Sequence, residues 1–187
     1  MRPSRKYLAT QVVQGEGVFI APGAVVVGQV SLGARSSIWY HAVLRGDLAP
    51  ITVGAQTNIQ DGAVLHVDPP SPVVLGDRVV VGHRAVIHGA RVEDECLIGM
   101  GAVLLDDVVV GRHSVIGAGA VVTARTIIPP RSLVLGIPAR VVRTVPDTMA
   151  AQIRLNAARY AEAAARYLSG DLGRLHSGTP FENPHPG

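Results

Sequence analysis

From Ile20 onward an aliphatic residue returns every six positions, at Val26, Leu32, Ile38 and Leu44. The series resumes as Val53, Ile59 and Leu65, breaks, and continues as Leu75, Val81 and Ile87. One residue is then dropped, after which Val92, Ile98, Leu104, Val110, Ile116, Val122, Ile128 and Val134 follow without interruption. Small residues stand two places before several of these positions, as at Ala24, Ala42, Ala85 and Ala120. A period of six matches neither the 3.6 of a helix nor a hairpin meander with its recurrent turn dipeptides. It matches a coil in which each hexad is one short strand and a corner. Glycines directly after the aliphatic residue, as at Gly54, Gly76, Gly82, Gly99, Gly111 and Gly117, relieve crowding where the backbone turns.

This pattern resembles the hexapeptide-repeat family over about residues 12–142. The resemblance implies a mainly β fold, a left-handed parallel β-helix shaped as a triangular prism with three hexads per turn. After Pro146-Asp147-Thr148 the spacing changes. Residues 149–168 are rich in Ala and place Ile153, Ala157, Tyr160, Ala164 and Tyr167 three and four apart, which predicts an amphipathic helix capped by Asp147 or Thr148. It would pack on its own coil or on a neighbour's. The chain therefore divides into a β-helix domain over 1–145, a C-terminal helix over 146–168 and a loosely ordered tail over 169–187.

Composition agrees with a coil built from small and β-branched aliphatics. Hydrophobic residues make up 48% of the 187 residues but aromatic ones only 4%, with 21 Gly and 13 Pro. The 17 Lys and Arg residues are scattered singly and the net charge is +3, so no basic stripe points to nucleic acid. No apolar run reaches the roughly 20 residues of a membrane span. The basic start is followed by a stretch that Thr10 and Gln11 interrupt, which reads poorly as a cleaved signal. A single cysteine, Cys96, excludes a disulfide framework and fits a reducing, cytoplasmic setting, with the thiol buried and structural.

The candidate chemistry lies in the histidines. His66 follows Leu65 and His88 follows Ile87, so both occupy the same slot of their hexads. They are 22 residues apart, and if Asp68-Pro69-Pro70-Ser71 bulges out, the remaining 18 make one full turn. The two imidazoles then stack about 4.8 Å apart, the usual strand spacing. His83 occupies another slot, two places after Val81, and falls near a different corner. In a threefold trimer, a heterologous interface could bring His83 of one subunit against the pair of the next. Three neutral imidazoles with an open fourth position make a catalytic zinc arrangement.

Leu44-Arg45-Gly46-Asp47, Asn58-Ile59-Gln60-Asp61-Gly62, Leu65-His66, Val81-Gly82-His83, Ile87-His88-Gly89 and Ile98-Gly99-Met100 together resemble the γ-class carbonic anhydrases. The resemblance implies zinc, or iron or cobalt, on His66, His83 and His88 of a homotrimer, with sites at the subunit interfaces. It implies an intersubunit salt bridge between Arg45 and Asp47. Gln60 would orient the metal-bound water or bicarbonate, with Asn58 and Asp61 in support. The implied reaction is reversible hydration of carbon dioxide to bicarbonate by a metal-bound hydroxide, followed by proton transfer to solvent.

Two departures bear on that last step. Leu48 follows Arg45-Gly46-Asp47 where the best-characterised pattern has a catalytic glutamate, and only Asp68 is acidic between His66 and Leu75. Weak or absent hydration follows from them. Tyr160 matches a tyrosine that approaches the metal in shorter relatives, and it equally belongs to the helix's packing stripe. Bland readings also stand beside the others: Arg45 and Asp47 as a structural ion pair, and Asn58, Gln60 and Asp61 as partners of corner backbone groups. The alternative functions are a hexapeptide acyltransferase using acyl-coenzyme A, a metal-dependent thioesterase, and a non-catalytic assembly subunit. His41, His113, His176 and His185 carry no partner pattern.

Overall fold

The computed structural model describes residues 7–171. The hexads wind into a parallel β-solenoid with three faces. One face stacks Phe19–Ile20, Ser37–Ile38, Asn58–Ile59, Val80–Val81, Leu97–Ile98, Val115–Ile116 and Ser132–Gly136, one strand per turn. The other two faces join in an 11-stranded sheet because Val43–Val53 runs through a corner without a break. Its first part pairs with Val64–His66 and its last part with Val73–Leu75.

The six-residue period is an inside-outside code. Every aliphatic residue of the series from Leu32 to Val134 is no more than 3% exposed. Inside the corners, two places earlier, the space is smaller and takes Ala42, Ala63, Ala85, Ala102 and Ala120 in one column. A second column holds Ser36, Thr57, Val79, Cys96 and Ser114. Cys96 is buried, as a small apolar group at that position must be. Aliphatic burial of this kind contributes about 25 cal/mol per Å². That burial, repeated turn after turn, lets the chain fold with few aromatic residues.

The recurrent glycines relieve crowding as expected: a Cβ at Gly54, Gly99 or Gly111 would stand 2.3–2.5 Å from the backbone of the next turn. Left-handed backbone is carried in one column by Arg35, Gln56, Arg78, Glu95, His113 and Arg131, each with φ between 54° and 61°, not by the recurrent glycines. Their backbone amides hydrogen-bond to the turn before, as Glu95 N–H does to Asp77 O, and this ladder sustains the unfavoured conformation.

The helix spans Asp147–Ser169, starting two residues before the spacing indicates. Its N-cap is Pro146 and no side-chain cap forms, so the capping expected of Asp147 or Thr148 is not realised. Asp147 sits within the first turn, and its carboxylate accepts a hydrogen bond from Arg131 Nη2 at 2.5 Å. A negative charge there still complements the helix dipole. The helix docks on its own coil. Ile153 and Ala157 bury against Val80, Val115 and Val145, and Ala164 joins Phe19 and Trp39. Tyr167 stacks on Phe19 at 5.3 Å and meets Trp39 edge-on at 5.5 Å.

Beyond the last parallel turn, Ala139–Thr144 folds back antiparallel on Ser132–Gly136. No helix among the described residues is long and apolar enough to cross a membrane. Of the expected tail only Ser169, Gly170 and Asp171 are described; His176 and His185 lie outside the described residues.

Candidate metal centre

Strand register places Arg45 beside His66, and His66 beside His88. The alignment survives a 22-residue separation because Asp68 and Ser71 bridge to each other and close the Pro-Pro segment into an outward loop. The two rings meet, with His66 Nδ1 3.0 Å from His88 Nε2 and ring centroids 5.0 Å apart. The opposite nitrogen of His88, Nδ1, is hydrogen-bonded to Asp106 Oδ1 at 2.5 Å. His66 Nε2 is buried and has no hydrogen-bond partner among the described residues. Burial, the Arg45 guanidinium and the neighbouring His88 push the His66 imidazole below its ordinary value, so it is neutral at pH 7 with a lone pair to offer.

Alternate residues of a strand share a face, so Arg45 and Asp47 point the same way past Gly46. A Cβ at Gly46 would stand 2.6 Å from the Gln29 carbonyl oxygen, a contact that only glycine avoids. Arg45 Nη1 donates to both Asp47 oxygens, at 2.9 and 3.1 Å. Within one chain Arg45 and Asp47 thus already form an ion pair. Asp47 Oδ1 also lies 3.8 Å from His66 Nε2, too long for a hydrogen bond.

His83 occupies the neighbouring corner, where its Nδ1 is 3.0 Å from Asp61 Oδ2. Asn58 and Gln60 lie just before Asp61 and are both buried, with Gln60 Nε2 donating to Asn58 Oδ1 at 3.1 Å. The Asn58 amide nitrogen is buried without a partner among the described residues. Beside them runs a groove of about 490 Å³, lined by His83, Gln60, Met100 and other residues of the coil and by Asn156 and Tyr160 of the helix. Tyr160 both lines this groove and packs edge-on against Trp39 at 5.5 Å. Burial and the charge of Asp61 push its phenol above the ordinary value.

Among the described residues of one chain no three metal-ligating side chains come together. His66 and His88 form a pair, and His83 stands apart with its own carboxylate. One residue at this chemistry escapes sequence reasoning: Asp106, which contacts His88. Glu95, at another corner column, binds Arg78, Arg154 and His113.

Known proteins resemble this chain. The bacterial transferase hexapeptide (six repeats) model matches residues 89–124. Gamma carbonic anhydrase 1, mitochondrial, of Arabidopsis thaliana is 47% identical over 157 residues, which is 81% of this chain and 57% of that protein. The chain thus spans little more than half the length of that relative. The "Probable carbonic anhydrase" of Methanocaldococcus jannaschii is 48% identical over 145 residues, 78% of this chain and 91% of its own. A hexapeptide transferase family protein from Anaplasma phagocytophilum has a solved structure with TM-score 0.81 and 30% identity, covering 87% of this chain and 98% of its own. Identity at this level, across nearly the whole of the archaeal relative and through the turns that carry the histidines, makes this chain a member of the γ-class carbonic anhydrase-like family of hexapeptide-repeat proteins.

Proposed function

We propose that the protein is a zinc-dependent carbonic anhydrase-like enzyme, working as a homotrimer and interconverting carbon dioxide and bicarbonate at its subunit interfaces. One observation carries the reading: two imidazoles stacked in register, one with a buried, unpartnered Nε2. That donor set suits zinc, with iron or cobalt as substitutes. His66 and His88 of one subunit and His83 of the next would hold the ion. When bound, it supplies a Lewis acid that activates water near neutral pH.

The chain's own residues do the rest. Asp61 beside Nδ1 of His83 leaves Nε2 of that ring to face outward. Arg45, tied to Asp47, places a fixed positive charge next to the His pair, where it attracts bicarbonate. Gln60 is held by Asn58 with its amide at the edge of the groove, suited to orienting a small polar substrate. The apolar wall of the groove gives carbon dioxide a dry approach. A proton leaving this region has no glutamate after Asp47, where Leu48 stands, and the raised Tyr160 phenol is a poor acceptor at pH 7. Hydration limited by proton transfer follows, and imidazole buffer would accelerate it.

The groove also favours a second reading. A largely apolar channel next to His83 suits an acyl chain, and the Anaplasma neighbour is named a transferase. A thioesterase or acyltransferase would use the same histidines on an acyl-coenzyme A. Elemental analysis of anaerobically purified protein and of His83→Ala, with carbon dioxide hydration measured on both, separates the readings. Metal near one per subunit, lost together with hydration in the variant, is the expected outcome. Metal without hydration, even in imidazole buffer, would move the assignment to thioesters or to an assembly role.

A further inference from the structure

We propose that Asp106 is a positioning residue that sets the tautomers of both His88 and His66 in the metal-free protein, leaving the lone pair of each ring on Nε2. The assignment rests on the metal reading above. It starts from the 2.5 Å hydrogen bond between Asp106 Oδ1 and His88 Nδ1. A carboxylate only accepts, so Nδ1 carries the proton, and in the neutral ring Nε2 holds the lone pair. In the metal-free chain that lone pair accepts from His66 Nδ1, 3.0 Å away, which is then the protonated nitrogen of its own ring, and a metal at His88 Nε2 would displace this contact. His66 is left with its lone pair on Nε2, the atom that is buried without a partner. One carboxylate at the end of this relay therefore orders two rings. The opposite tautomers would set a lone pair of His88 against the Asp106 carboxylate. Metal-ligating histidines commonly rely on such a contact at the other ring nitrogen.

Local geometry explains why Asp106 is in place. Val86 pairs with Val103, 17 residues on, whereas Val103 pairs with Val121, 18 residues on. The hexad that begins at Ile87 is one residue short, with Val92 following it by five, while Asp106 keeps the regular corner slot two places after Leu104. Gly89, next to His88, has φ +53°, and a Cβ there would lie 2.6 Å from Asp106 Oδ1, so glycine leaves the carboxylate its space. The adjacent Asp107 is committed elsewhere, accepting from Ser71 Oγ at 2.5 Å and tying down the Pro-Pro loop.

The test compares the full-length parent protein with Asp106→Ala and Asp106→Asn. Long-range ¹H–¹⁵N spectra of the metal-free proteins report the tautomers, and cobalt affinity is measured by chelator competition. The parent is expected to show His88 as the Nδ1–H form. Asp106→Ala should lose that form and bind cobalt about 10- to 100-fold more weakly, with circular dichroism unchanged. Asp106→Asn, whose amide oxygen still accepts, should recover most of the affinity. Unchanged tautomers and equal affinity in Asp106→Ala would overturn the role of Asp106 while leaving the metal reading intact. A parent protein that takes up no cobalt would sink the metal reading, and the role with it.

Discussion

Glu95 reaches from a corner of the coil to Arg154 of the helix, Oε2 to Nη1 at 3.0 Å, although 59 residues separate them. The same carboxylate accepts from Arg78 Nε at 3.0 Å and lies 3.2 Å from His113 Nδ1. Together with Arg131 and Asp147 this fastens the helix to the solenoid by polar contacts, next to the apolar ones of Ile153 and Ala157.

Burial pushes the Glu95 carboxyl up, but hydrogen bonds from Arg154 and Arg78 and their charges outweigh it and hold the group below the usual carboxylate range. A carboxyl lowered by folding stabilises above its unfolded value, and the benefit is lost as pH falls through the folded value. Asp147, lowered by the hydrogen bond from Arg131, acts with the same sign. These carboxylates leave thermal melts level down to about pH 5 and make them fall steeply below about pH 4, while His66, lowered by the fold, adds a gentler loss as pH falls through about 6.5, the unfolded histidine value. Glu95→Gln should lose about 1–3 kcal/mol at pH 7, the arginines being partly exposed, and show a shallower acid limb. An unchanged limb would mean that Glu95 does not fasten the helix.

Burial pushes the Cys96 thiol up to about 12. In the native protein at pH 8 the thiol should be inert to a disulfide reagent, because the reactive species is the thiolate. Guanidinium should release one reactive thiol per chain. Prompt labelling of the folded protein would show the corner to be open.

Ile98 is fully buried at the middle of the stack, between the turns of Val81 and Ile116. Its replacement by Ala removes most of a side chain that rigid turns above and below cannot collapse around. Urea unfolding should show a loss of about 2–5 kcal/mol. A loss well under that range would indicate that the stacked turns relax.

Tyr160 and Trp39 meet edge-on at 5.5 Å, so tryptophan emission reports on helix docking. Tyr160→Phe keeps the ring and should leave both emission and melting temperature close to the parent's. Tyr160→Ala should red-shift the emission and cost about 2–3 kcal/mol, less than for a fully buried ring. If Tyr160→Phe alone destabilised as much, the hydroxyl would be the structural element.

Much of this arrangement is legible in the chain itself. A hexad of large and small apolar residues can bury itself in one way only, so Leu65, Ile87 and Ile98 announce the inside of a coil. The pairing of His66 with His88 follows once the two prolines are read as an excursion, since Pro70 cannot continue the ladder. What stayed hidden depends on contacts that no period encodes. Asp106 meets His88 across the one hexad that is short by a residue, where the period itself breaks. Glu95 reads as a solvated charge until Arg154 arrives from the far end of the sequence. Asp147 reads as a cap because capping is a local rule, but Arg131 on the last parallel turn competes for its carboxylate.

The backward strand after the last parallel turn has a consequence for growth. A stack of parallel turns ends in unpaired backbone that matches the first turn of any other copy, and head-to-tail addition would lengthen it into a filament without limit. Ala139–Thr144 occupies that edge in the opposite direction and sets exposed Arg140 and Arg143 on its outer side. On that face an arriving coil meets the wrong polarity and a positive charge, which opposes head-to-tail growth at this end.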